Sequence, residues 1–184
     1  MTKLTFFVFN KINILKKVHI NTFVLTNRVE IVYYSNYVKE KNMFKIKSEI
    51  QFDMAHYLSG YNGKCSNIHG HRYKLIAQLK SETLHAEGQL RGMVDDFSNF
   101  KDSLKEIEDI FDHKLILEDN EEGLALAKKL EDLPNNFDVY FVNYRPTAEE
   151  MSRDIFNRLK AKGLKVCEVE LFETPNNSCI YTED

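Results

Sequence analysis

The sequence has no apolar run that approaches the length of a transmembrane helix, which argues against a membrane-spanning protein. It has no excess of positive charge either. Its 25 Lys and Arg face 28 Asp and Glu, a net charge of −3, which argues against a general nucleic-acid-binding surface. Cysteine is scarce. Cys65, Cys167 and Cys179 are odd in number and widely spaced, so they do not read as a disulfide framework, and a reducing cytoplasm suits them. No internal repeat or low-complexity tract is visible. What is present is ordinary for a globular protein: 43% hydrophobic and 29% charged residues in a chain of 184, enough for a core.

The first 42 residues differ from the rest. They contain no Gly, Pro, Ala, Asp or Cys, and carry seven basic against two acidic residues. That is a net of +5, leaving −8 for residues 43 to 184. The apolar run from Leu4 to Phe9 is short and no small-residue cleavage site follows, so a signal peptide is not evident. A membrane- or partner-binding arm is one reading of residues 1–42. The reading preferred is a dispensable extension or translated upstream sequence, with Met43 as the natural start of a 43–184 domain. Thr22 to Tyr34 has enough β propensity to form extended structure on its own.

The most informative stretch is Cys65-Ser66-Asn67-Ile68-His69-Gly70-His71. Side chains two apart on a strand share a face, so His69 and His71 can hold one metal ion together. His69, His71, Tyr73, Leu75, Ala77 and Leu79 form one row. Arg72, Lys74, Gln78 and Lys80 lie on the other, which predicts a half-buried strand. The best third ligand is His56, which shares a face with Phe52 and Met54 on a preceding strand. A lone histidine there would read as a satisfied core residue; beside His-x-His and a cysteine it reads as a ligand. Three imidazoles with an open fourth position describe a catalytic zinc site better than a structural one. Gly60 and Gly63 are expected to supply turns between the two strands.

Farther along, Asp95 or Asp96 caps a helix whose Phe97, Phe100, Leu104, Ile107 and Phe111 recur at spacings of three and four. Glu121 to Leu133 is a shorter helix. Val139 to Asn143 reads as a strand. Thr147 and Glu150 form a capping box for a helix lined by Met151, Ile155 and Leu159, ended near Gly163. Leu164 to Glu173 is the last clear strand, and Ser178 to Thr182 returns from it. The order β-β-α-α-β-β is an α+β pattern, two long helices against one antiparallel sheet.

Ala55-His56 and Gly63-Lys64-Cys65-x-x-x-His69-Gly70-His71 resemble the 6-pyruvoyltetrahydropterin synthase and 6-carboxytetrahydropterin synthase family. Gly92-Met93-Val94-Asp95-Asp96-Phe97, Phe111-Asp112-His113 and Phe172-Glu173-Thr174 match it in order. The likeness covers about residues 43 to 182. The three residues between Cys65 and His69, and the closing Cys179-Ile180-Tyr181, look like the bacterial queuosine-pathway branch. The resemblance implies the tunnelling fold: a four-stranded antiparallel sheet with two long helices on one face. Oligomerisation then joins the sheets into a barrel, in a homohexamer built as a dimer of trimers. It implies a cytoplasmic, zinc-dependent lyase acting on 7,8-dihydroneopterin triphosphate, with a small pterin as its ligand and no nucleic acid or membrane partner. The alternatives are a 6-pyruvoyltetrahydropterin product, or a pterin-binding module without turnover.

The resemblance implies His56, His69 and His71 as zinc ligands, with Cys65, Asp112 and His113 as the proton-transfer set. A thiol near a dication loses its proton readily, so Cys65 suits removal of a carbon-bound proton. Asp-His adjacency alone would read as a surface feature, since neighbours on a strand face opposite ways. In the resembling enzymes neighbouring subunits complete each site. Glu173 is the implied pterin anchor, because a carboxylate can accept from the ring's donor pair. Thr147 and Glu149 are implied on the substrate side, although capping accounts for Thr147. Cys167 and Cys179 read as core residues, His19 and His85 as surface residues. Met54 stands where many relatives have a small residue, and Asp119 to Asp138 is longer than in compact bacterial relatives.

Overall fold

The computed structural model describes residues 42–183 in full and the backbone of residues 4–9, 15–25 and 28–34. The chain divides into two compact units, Met1–Lys41 and Asn42–Asp184. In the first, β1 (Leu4–Phe9), β2 (Leu15–Leu25) and β3 (Arg28–Tyr34) form an antiparallel sheet in chain order. The extended structure expected at Thr22 to Tyr34 is the end of β2 and all of β3. The remaining residues of the segment 1–41, and the side chain of His19, lie outside the described residues.

The second unit carries the core. β4 (Phe44–His56) and β5 (His69–Ser81) pair antiparallel along their whole length, from Phe44 opposite Ser81 to His56 opposite His69. Their alternation is strict. Phe52, Met54 and His56 are buried on one face, as are Tyr73, Leu75, Ala77 and Leu79, while Gln51 and Arg72 are exposed on the other. Onto the buried face pack α1 (Phe97–Phe111) and α3 (Ala148–Ala161), through Phe100, Leu104 and Ile107 and through Met151, Ile155 and Leu159. Asp96 caps α1 by accepting from the Ser98 amide, and Thr147 caps α3 by accepting from Glu150. Gly163, at φ +85°, follows α3 where only glycine adopts the left-handed region without cost.

The sheet has six strands where the resemblance implied four. Its order is β7-β6-β4-β5-β8-β9, with β8 (Val166–Thr174) and β9 (Asn177–Thr182) antiparallel on the β5 side. On the β4 side lie β6 (Lys114–Glu118) and β7 (Val139–Val142), both parallel to their neighbours. β6 shows no alternation, because it is covered on both faces. Ile116 faces the main core, whereas Leu115 and Leu117 face a second cluster with Tyr57. That cluster is covered by α2 (Glu121–Glu131) through Leu126, Ala127 and Leu130. A short apolar run buried on both sides is the usual signature of a parallel strand. No helix among the described residues is long and apolar enough to cross a membrane.

Candidate active site

Pairing of β4 with β5 brings together three histidines that could hold a metal ion. Because His56 stands opposite His69, and His71 lies two residues farther on, all three rings fall on the helix-facing side at the sheet's end. Their ring centroids are 4.6 Å apart for His56 and His69, 5.6 Å for His56 and His71, and 5.1 Å for His69 and His71. One nitrogen from each lies within 4.8 Å of the others. The tautomers follow from the partners. His56 Nδ1 is 2.7 Å from the Pro146 carbonyl, and His69 Nδ1 is 2.8 Å from the Asn67 carbonyl. A carbonyl only accepts, so both Nδ1 atoms carry protons and both Nε2 atoms keep a lone pair. This donor set, with its backbone acceptors, fits a metal held by neutral imidazoles. Burial, with His56 1% exposed, holds its imidazole below the usual range, against the opposing Pro146 bond.

Tyr73 closes the bottom of the cluster. Its hydroxyl lies 3.2 Å from His56 Nε2 and donates to Glu173 Oε1 at 3.3 Å. Glu173 Oε1 is itself 3.5 Å from His56 Nε2. Burial, then the Glu173 carboxylate, drive the Tyr73 hydroxyl strongly upward, so it stays protonated and donates. The field of Cys65 also reaches this hydroxyl. Tyr73 shares the row of His69 and His71, so its place beside these histidines was available from strand parity alone. Glu173 sits at a register irregularity between Phe172 and Thr174 and borders a cleft of ≈ 520 Å³ lined also by His71, Arg72, Lys74 and Phe172.

Cys65 lies in a single 3-10 turn, Lys64–Ser66, within the β4–β5 loop. It is half-buried and in no disulfide, and its carbonyl accepts from the Leu58 amide at 2.8 Å. Gly60 supplies a left-handed turn residue at φ +65° as expected. Gly63 does not. Its backbone is extended at φ 170°, and what it provides is space, since a Cβ there would lie 2.6 Å from the Tyr61 ring.

Asp112 and His113 do converge, despite being adjacent. The helix α1 ends at Asp112 and His113 takes φ +58°, the only non-glycine left-handed residue among those described. That turn brings Asp112 Oδ2 within 2.7 Å of His113 Nδ1. The backbone of Asp53 clamps it: its amide donates to Asp112 Oδ1 at 2.9 Å and its carbonyl accepts from the His113 amide at 2.6 Å. Asp53 in turn pairs through both carboxylate oxygens with Arg72. The Asp53 amide, then the His113 ring, hold the Asp112 carboxyl below the usual range. This group lies on the Asp53–Arg72 side of the sheet, opposite the three histidines. A cleft of ≈ 530 Å³ runs past His113, Asp53, Arg72 and Phe137. Within one chain the structure therefore gathers His56, His69, His71 and Glu173, but places Asp112 and His113 on the far face. Thr147 is taken up by capping, Glu149 is exposed in the first turn of α3, Cys167 is buried, and His85 is exposed.

Comparison with known proteins matches residues 45–184 to the family model of 6-pyruvoyl tetrahydropterin synthase. The chain is 44% identical over 144 residues to a 6-carboxy-5,6,7,8-tetrahydropterin synthase of Haemophilus influenzae, covering 77% of this chain and 100% of that protein. A protein of the same name from Rickettsia felis is 34% identical over 143 residues, covering 73% of this chain and 96% of that protein. Among solved structures, an uncharacterised protein from Wolinella succinogenes superposes with a TM-score of 0.61 at 21% identity, covering 78% of this chain and 99% of that one. The 6-pyruvoyltetrahydropterin synthase of Plasmodium vivax does so with 0.57 at 20%, over 78% and 99% of the two chains. At that identity the two structures establish the shared fold.

Proposed function

The chain belongs to the 6-pyruvoyl tetrahydropterin synthase family, and from that premise we propose that it is a zinc-dependent lyase converting 7,8-dihydroneopterin triphosphate to 6-carboxy-5,6,7,8-tetrahydropterin. Acetaldehyde and triphosphate are the other products. The pathway served is the cytoplasmic synthesis of queuosine or a related deazapurine. The observation that carries this reading is the 44% identity across the whole length of the Haemophilus influenzae protein of that name.

The residues take the following parts. His56, His69 and His71 hold zinc through their free nitrogens, two of them fixed by backbone carbonyls. Zinc bound there supplies a Lewis acid toward a substrate oxygen. Glu173, held by the Tyr73 hydroxyl, accepts from the pterin ring's amino and ring N–H donors. Thr147 and Glu149 line the substrate side. Cys65 removes a carbon-bound proton from the substrate side chain. Asp112 is a carboxylate and can only accept, so His113 Nδ1 donates to it and Nε2 is left to take or return a proton. Because Asp112 and His113 face away from their own histidine cluster, they serve the site of a neighbouring subunit. The homohexamer, a dimer of trimers, provides that neighbour and covers the edge strands β7 and β9.

Incubating the purified chain with 7,8-dihydroneopterin triphosphate and identifying products by mass spectrometry tests this. The carboxy product with acetaldehyde is expected. The pyruvoyl product alone would overturn it. Cys65→Ala is expected to abolish turnover with zinc retained, and unchanged conversion would remove Cys65 from the mechanism.

A further inference from the structure

The loop that carries Cys65 is tied down at its base by a polar hub centred on Ser59. Ser59 is 7% exposed. Its hydroxyl donates to Glu118 Oε2 at 2.6 Å and accepts from Asn120 Nδ2 at 3.1 Å. Its carbonyl accepts from Arg145 Nη2 at 2.6 Å. These partners belong to two separate junctions. Glu118 ends β6 and Asn120 caps α2, whereas Arg145 precedes the first turn of α3.

The hub touches the site at two points. Pro146, adjacent to Arg145, is the residue whose carbonyl fixes the His56 tautomer. Leu58, adjacent to Ser59, donates its amide to the Cys65 carbonyl. Segment 145–146 therefore grips the chain at His56 and again at Ser59, three residues later, while the amide of Leu58, between these two points, bonds the Cys65 carbonyl and closes the loop. A buried hydroxyl with one charged acceptor and one amide donor has no rotational freedom left, and a guanidinium–carbonyl bond is charge-assisted. Neither Ser59 nor Arg145 touches the cluster of rings, so their effect on it runs through backbone geometry.

We propose that Ser59, with Glu118 and Arg145, is a positioning element that sets where the Cys65 thiol stands relative to the histidine cluster. This rests on the role given to Cys65 above. Misplacing a reacting group by about 1 Å costs up to about 100-fold in rate, so the hub is expected to govern turnover without contacting substrate.

The test uses the full-length zinc-loaded protein. Ser59→Ala removes the hydroxyl, Arg145→Met removes the guanidinium at an exposed side chain, and Ser59→Thr restores the hydroxyl. The first readout is the rate of Cys65 alkylation by iodoacetamide, followed on the Cys65 peptide by mass spectrometry, with metal content measured alongside. We expect Ser59→Ala and Arg145→Met to change that rate at least about threefold and to lower kcat about tenfold, with KM within about twofold. Ser59→Thr returns both values toward the parent, and zinc per chain is unchanged throughout. A Cys65 alkylation rate identical to the parent in both variants overturns the proposal, as does a Ser59→Thr protein that behaves like Ser59→Ala. If Ser59→Ala does not fold, Arg145→Met decides by the same criteria. Alkylation needs no substrate. A parent protein without turnover therefore overturns the proposed function, while a changed alkylation rate still supports the positioning role.

Discussion

His56 Nδ1 and the carbonyl oxygen of Pro146, ninety residues apart in sequence, lie 2.7 Å apart. That bond commits Nδ1 as the donor and leaves Nε2 on the side of the Tyr73 hydroxyl and Glu173. The histidine cluster is therefore oriented in part by a backbone group of the loop before α3.

Substituting any of the three ligands should empty the site. The parent is expected to hold about one zinc per chain. His56→Ala, His69→Ala and His71→Ala are each expected to reduce metal content by at least about tenfold at equal free zinc. Elemental analysis of freshly purified protein measures this, and full zinc in any variant would remove that residue from the ligand set.

Acid should weaken the fold through Asp112. Its folded carboxyl lies below the unfolded value of about 3.9, chiefly because of the Asp53 amide and then the His113 ring. A depressed carboxyl binds its proton more readily when unfolded, so its stabilisation is fully present above that unfolded value. It is lost as pH falls through the lower folded value. Thermal melts of the parent and of Asp112→Asn are therefore expected to differ most near neutrality, and the gap to begin closing only as pH falls below about 4 toward the folded value. A gap that widens on acidification would contradict the assignment.

Gly123 sets two effects against each other. Alanine in a helix normally gains about 1 kcal/mol over glycine. Here a Cβ would lie 2.2 Å from the Glu118 carbonyl oxygen, a backbone atom that cannot rotate away. The clash should win, leaving Gly123→Ala destabilised by about 1–3 kcal/mol. Urea denaturation at matched protein concentration checks the sign, and a higher midpoint would show that β6 can yield.

A chain starting at Met43 is expected to fold, assemble, bind zinc and turn over like the full chain. All ligands and the whole main core lie within residues 46 to 181. Light scattering and activity on both chains make the comparison. Assembly by the full chain alone would instead assign the N-terminal sheet a place in an interface.

Much of the site was legible because it depends on strand parity. His69, His71 and Tyr73 share a row by their spacing of two, and His56 joins them by the same rule on the preceding strand. The helices α1 and α3 were legible from their apolar spacing and their caps at Asp96 and Thr147. Less legible was β6, because Leu115, Ile116 and Leu117 are all buried and show no period. Such a run identifies a strand only once its neighbours on both faces are known. The turn at His113 was not legible either, since adjacent side chains converge only when the backbone takes a positive φ, and no residue type announces that for histidine.

By itself the sequence determined the α+β class, the amphipathic helices, the shared face of the three histidines and the family, because these rest on local periodicity and short motifs. Tertiary structure alone decided which carbonyl fixes His56, that Ser59 joins two distant junctions, and that Asp112 and His113 face away from the three histidines of their own chain. Those relationships are contacts across tens of residues. They are set by register, strand order and the direction in which each connection crosses the sheet, none of which leaves a local pattern in the chain.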